Sequence, residues 1–215
     1  MNTHPFSPHR LSSTLLSASA LVILVACGGG GGDSDAAAPA PAPAGVSGTA
    51  STVTGSSGST GAPGLIALDA STSCALPDFQ NSLLQQINAA RATARTCGST
   101  AMPAVGPLAW NDRLFSAAAR HSRDMGTNNY FSHTGLDGRS PSQRIAAEGY
   151  AWSWAGENIA AGQQTVTTVM NGWLASPGHC ANIMRAEYRD VGVSCVQQNG
   201  STYGKYWTMA LARPQ

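Results

Sequence analysis

YFSHT at residues 130–134, GENIA at 156–160 and SPGHCANI at 176–183 are the three segments whose reading decides this chain. They carry His133, Glu157 and His179. Two imidazoles and a carboxylate gathered at one place form a ligand set that divalent zinc accepts while leaving a coordination position open. The residues are far apart along the chain, so the expectation is geometric: the fold has to bring them together. No compact zinc-protease spacing such as H-E-x-x-H is present, and no serine or cysteine nucleophile has an evident base.

Working outward, the flanking sequence predicts helices first and strands later. Asp78 after Pro77 is a good cap for a helix whose apolar residues Phe79, Leu83, Ile87 and Ala90 recur every three or four positions. A second helix begins at Asn111, with Leu114, Ala118, His121 and Met125 on one stripe, and fades at Gly126. His133 then falls in a loop closed by Asp137-Gly138. Ser140-Pro141 starts a short third helix through Ala147, and Thr165 opens a fourth with Val166, Val169, Met170 and Trp173 as its buried stripe. Residues 152–159 read as a strand leading through GENIA. Val191, Val193 and Cys195 alternate with small residues, as do Trp207, Met209 and Leu211, and Asn199-Gly200 between them suits a tight hairpin turn. This order implies an α+β domain.

The first third of the chain is of another kind. An apolar, serine-containing run over residues 11–26 follows Arg10 and reads as a secretory signal, too short for a membrane span. Its end, Leu24-Val25-Ala26-Cys27, resembles the lipobox of bacterial lipoproteins, so Cys27 is the expected lipidation site. Residues 27–73 are rich in Gly, Ser, Thr, Ala and Pro and cannot bury enough apolar surface to offset the entropy of ordering. They read as a linker, extended where Ala and Pro alternate and flexible where Gly and Ser dominate. The expected organisation is therefore a signal peptide over 1–26, a lipid-anchored linker over 27–73 and one domain over 74–215.

Export makes disulfides the natural state of the other four cysteines. Four cysteines permit three pairings. The expected one is Cys74 with Cys97 and Cys180 with Cys195, which also argues against His179-Cys180 acting as a base and nucleophile, since that chemistry needs a free thiolate. The net charge is +1 with scattered Lys and Arg, so nothing tracks a phosphate backbone and nucleic-acid binding is not supported.

The three opening segments match in order the signature of the CAP superfamily, which groups cysteine-rich secretory, antigen 5 and pathogenesis-related 1 proteins. The resemblance runs over about residues 79–211. It implies an α-β-α sandwich with an antiparallel central sheet and a cleft on one side, in which His133 and His179 are the metal-binding histidines. Many relatives carry a second glutamate three residues after the tryptophan corresponding to Trp173. Here that position is Ser176, which weakens any hydrolytic mechanism.

The leading expectation is thus a monomeric, envelope-tethered domain whose cleft binds a divalent metal, zinc by preference, through His133 and His179, with Glu157 as a tentative base on a metal-bound water. Its location is the outer membrane in a Gram-negative host and the cell surface otherwise. His121, Asn158, Ser176 and Asn182 are the expected supporting residues, with Ser122 and Asp124 as neighbours. His121 continues an apolar stripe and is more simply a satisfied histidine at the core margin than a third ligand. A second expectation, implied by the resemblance, is a non-catalytic binder of lipid or another small apolar ligand, with Trp152, Trp154 and Trp173 as core residues or pocket walls. A structural or adhesive role in the envelope is a third, suggested only by the length of the linker.

Overall fold

The computed structural model describes residues 64–215. The expected signal segment, Cys27 and the linker up to residue 63 lie outside the described residues. The elements are α1 (Phe79–Arg91), β1 (Arg95–Cys97), β2 (Thr100–Met102), β3 (Ala109–Trp110), α2 (Asp112–Thr127), α3 (Pro141–Ala147), β4 (Trp152–Ala161), α4 (Val166–Ala175), α5 (Pro177–Ile183), β5 (Asp190–Gln197) and β6 (Lys205–Pro214).

Local sequence explains most of the boundaries. Asn111 accepts from Arg113 N and Leu114 N at the start of α2, and reciprocal capping boxes, Ser140 with Gln143 and Thr165 with Thr168, start α3 and α4. Asp78 does not cap α1. It adopts a left-handed conformation with φ 48°, and its carboxylate instead accepts from the Asn81 side chain at 2.7 Å.

The main sheet has strand order β3-β5-β6-β4. β6 pairs antiparallel with β4 and β5, as expected, whereas the two-residue β3 pairs parallel with β5. A parallel pair requires a long crossover, which the intervening α2, α3, β4, α4 and α5 supply. The expected tight turn at Asn199-Gly200 is a longer connection: Gln197 and Lys205 are the last paired residues, and Gln198 N donates to Gly204 O at 2.7 Å.

β6 is buried on both faces, so its sequence divides the core in two. Trp207, Met209 and Leu211 face one cluster with Leu83 and Ile87 of α1, Val169 and Trp173 of α4 and Ile183 of α5. Ala210 and Ala212 face Leu114, Ala117 and Ala118 of α2 and Ile145 of α3. The layers are therefore helices, sheet and helices. The α2 face is built of small residues, and its tightest point is Gly192, where an added Cβ would stand 2.0 Å from Phe115 N. Only glycine allows helix and strand to approach this closely.

The disulfides differ from the expected pairing. Cys74 joins Cys195 and Cys97 joins Cys180. The reason lies in where the chain runs before α1. Residues 64–73, expected as linker, lie against the domain: Cys195 N donates to Thr72 O at 2.9 Å, Cys74 N donates to Cys195 O at 3.0 Å, and Thr72 is fully buried. Cys74 thus sits beside β5. Cys97, at the end of β1, lies over α5 and clusters with Cys180 and Met184. The β1-β2 hairpin, with Gly98 at φ 64° in its turn, was not expected and is what brings Cys97 there.

Arg91 anchors the far end of α5. Its fully buried guanidinium donates to Gly106 O, Ile183 O and Arg185 O at 2.7, 2.5 and 3.0 Å. Burial, and then the nearby Arg189, lowers its pKa to about 10, so it remains charged at neutral pH. A cation on the last carbonyls of a helix complements the helix dipole.

Candidate functional site

Three elements meet at the cleft: the loop between α2 and α3, the middle of β4, and the first turn of α5. They carry His133, Glu157 and His179 respectively. The loop is held by Asp124, which accepts from the Tyr130 hydroxyl, from Asn128 at 2.8 Å and from Leu136 N at 3.4 Å. His121 also pins it. The His121 ring is sealed from solvent and its Nε2 donates to Ser132 O at 2.8 Å, which leaves Nδ1 bare and without a partner. Burial lowers its pKa, so it is neutral. His121 is a core-margin residue whose work is to hold the backbone next to His133.

Glu157 is 8% exposed, on the same face of β4 as Ile159. Both of its oxygens are engaged. Oε1 accepts from His133 Nδ1 at 2.8 Å, and Oε2 accepts from Arg144 Nη2 at 2.6 Å. Arg144, on the last turn of α3 and itself 9% exposed, was missed in the sequence. The available signal was indirect: a carboxylate on a buried strand face needs a counter-charge, but nothing in the spacing says which arginine supplies it.

The carboxylate fixes the orientation of the His133 ring and leaves its Nε2 without a hydrogen-bond partner among the described residues. The side chain is half exposed, so this nitrogen is reachable from the cleft. His179 has a buried Nδ1 with no partner. Its pKa is lowered chiefly by burial and secondarily by the charge of the His133 ring. The first cause differs from the expected one, the dipole of a helix start, since α5 has only seven residues and burial dominates.

The supporting residues fasten α5 to β4. Asn182 Nδ2 donates to Glu157 O and Asn158 Oδ1 at 3.1 and 3.0 Å, and Asn158 Nδ2 donates to His179 O at 3.1 Å. Ser176 joins α4 to α5 and its side chain caps neither. Ser122 points elsewhere, to Thr208 Oγ1 at 2.8 Å inside the sheet layer. Trp173 is fully buried and donates to Ile159 O at 3.2 Å, whereas Trp154 is exposed beneath the Arg185 guanidinium.

Among the described residues, no group of three or more His, Cys, Asp or Glu side chains is gathered to hold a metal ion. Arg144 and His133 hold Glu157 through its two oxygens. Beyond these contacts, neither His133 Nε2 nor the His179 ring has a hydrogen-bond partner among the described residues.

A sequence model described as the cysteine-rich secretory protein family, CAP, matches residues 84–211. The chain belongs to this family. Among curated proteins, the CAP domain is similar to the uncharacterized protein YkwD of Bacillus subtilis, at 35% identity over 102 residues. That match takes in 47% of this chain and 38% of the relative, so the chain spans well under half the length of YkwD. Among solved structures it is similar to an extracellular protein containing an SCP domain from Bacillus anthracis, at 28% identity and TM-score 0.48, covering 64% of this chain and 44% of the other. It is also similar to NaASP2 with Zn2+, at 14% identity and TM-score 0.44, covering 61% and 77% of the respective chains. Among the described residues, no helix of this CAP protein is long and apolar enough to cross a membrane.

Proposed function

We propose that this CAP domain binds a divalent cation, zinc by the preference of its donors, on the imidazoles of His133 and His179. The observation that carries the reading is the 2.8 Å bond from His133 Nδ1 to Glu157 Oε1, which turns the other ring nitrogen out as a metal-ready lone pair. Glu157 acts through His133. Its other oxygen is held by Arg144, which makes it a positioning residue. When bound, zinc would supply Lewis-acid polarisation of water or of a ligand oxygen. The chain is exported and held at the envelope by lipid on Cys27, with the linker setting the domain off the membrane; the Leu24 to Cys27 sequence and two disulfides support this.

Calorimetric titration of zinc into the full chain tests the first step. The wild type is expected to bind one equivalent, the His133→Ala, His179→Ala double variant none, and Glu157→Gln about 10 to 100-fold more weakly. Equal binding by wild type and double variant would sink the proposal.

A second reading, a small apolar ligand, has one observation behind it. A pocket of about 40 Å³ lies beside His179, with Phe131, Ile159, Trp173 and Tyr203 in its wall. An engineered cavity that takes up benzene has about 150 Å³. The pocket therefore suits a side group of a ligand held in the cleft better than an acyl chain.

A further inference from the structure

Beside Arg144, α2, α3 and residues 135–139 line a second and larger cavity of about 160 Å³. Its wall holds three carboxylates, three guanidinium groups and the His121 ring, and the hydrogen bonding of the charged groups is lopsided. The carboxylates are spent. Glu148 accepts from Ser116 Oγ at 2.7 Å and Arg120 Nε at 2.6 Å. Asp124 is taken by Tyr130, Asn128 and Leu136. Asp137 accepts from Arg139 N at 2.9 Å and faces Arg139 Nε at 3.5 Å.

The guanidinium groups have donors left over. The Arg139 side chain donates no hydrogen bond among the described residues, and its only charge contact is that long one to Asp137. Arg120 uses Nε on Glu148 and Nη2 on Gly64 O, with Nη1 unengaged. Arg144 uses Nη1 on Arg139 O and Nη2 on Glu157, with Nε unengaged. Carboxylates that are engaged beside planar donors that are not make the site complementary to an oxyanion; His121 Nδ1, a bare acceptor among the lining residues, is sealed from solvent.

We propose that this cavity is an oxyanion site, taking a small carboxylate or phosphate group between Arg139, Arg120 and the Nε of Arg144. Arg144 lines the cavity and also holds Glu157 Oε2, so this guanidinium connects the site to the Glu157 side of the cleft. The anion site does not depend on whether the imidazoles hold a metal. The rim is accessible, since the Arg139 and Arg120 side chains are 57% and 40% exposed.

The test is an NMR titration of the full chain, following arginine Nε–H resonances, with inorganic phosphate in one arm and acetate in the other at constant ionic strength. The expected result is saturable shifts at Arg139 and Arg144, with a Kd in the millimolar range or tighter in at least one arm. The tighter arm identifies the anion class. Arg139→Gln, at an exposed position that leaves the core intact, is expected to weaken binding about tenfold or more by removing a charged donor. Arg213→Gln, exposed near the end of β6, is the control and should change nothing. Shifts that stay linear with concentration in both arms, or a Kd that Arg139→Gln leaves unchanged, would overturn the proposal.

Discussion

Gly192→Ala is the smallest change with a large consequence in this fold. The new Cβ would stand 2.0 Å from Phe115 N, 2.5 Å from Leu114 C and 2.6 Å from Phe115 Cα, all of them backbone atoms of α2. Ordinary contact begins at 3.4 Å, so helix and strand would have to separate by about 1.4 Å. No side chain can rotate away to relieve this. α2 has ten buried residues and packs on both β5 and β6, and a rigid shift of that size strips contacts along its length. Over-packing usually costs about 1–3 kcal/mol, and an obstacle made of backbone puts the cost higher, at about 3–5 kcal/mol. At roughly 2–4 °C per kcal/mol for a domain of this size, the midpoint of thermal unfolding should fall by about 6–20 °C with the disulfides intact. Calorimetry of wild type and variant reads this directly. A fall of less than about 2 °C would mean that α2 and β5 are not in backbone contact, and the placement of His121, which α2 carries, would go with it.

Gly156→Ala tests the GENIA segment in the same way, since its Cβ would lie 2.1 Å from the Tyr188 hydroxyl oxygen; because a side chain can shift, the expected loss in urea unfolding is smaller, about 1–3 kcal/mol, and no loss would refute the contact. Arg91→Met leaves the carbonyls of Gly106, Ile183 and Arg185 without their buried donor, which should lower stability by about 3–5 kcal/mol; a loss under about 1 kcal/mol would show that water replaces the guanidinium. Peptide mapping without reduction should return Cys74–Cys195 and Cys97–Cys180, and the loops of 121 and 83 residues give each bond about 4.5–5 kcal/mol in the chain-entropy model; recovery of a Cys74–Cys97 peptide would contradict the fold. His121 is held neutral below its ordinary pKa of 6.5 by burial. The unfolded chain therefore binds its proton first, and stability should be full above pH 6.5 and fall as the pH drops below it. Wild type and His121→Gln, compared by denaturant unfolding at pH 7.5 and 5.0, should converge at the lower pH, and an unchanged gap would remove the buried neutral histidine.

Periodicity carried most of the fold. The stripes of α1 and α4 named four residues each and all are buried, because an amphipathic helix has one solution once its partner face is known. The capping sequences at Asn111, Ser140 and Thr165 are local and were legible for that reason. What was not legible is what depends on distant chain. β3 has two residues and no pattern of its own; it is a strand only because β5 lies beside it. The disulfide pairing followed from the packing of residues 64–73 on β5 and from the β1-β2 hairpin, neither of which has an apolar repeat.

The cleft shows the same division, and it bears on chemistry. The residue types and their three segments could be read, but the commitments of each side chain could not. Arg144 is the case that matters. It takes one oxygen of Glu157 while His133 takes the other, a commitment that the three segments alone do not disclose. Ser176, at the joint of α4 and α5, adds no carboxylate of its own. On the proposed reading, Glu157 therefore serves a bound cation by orienting the His133 ring and not as a ligand of its own.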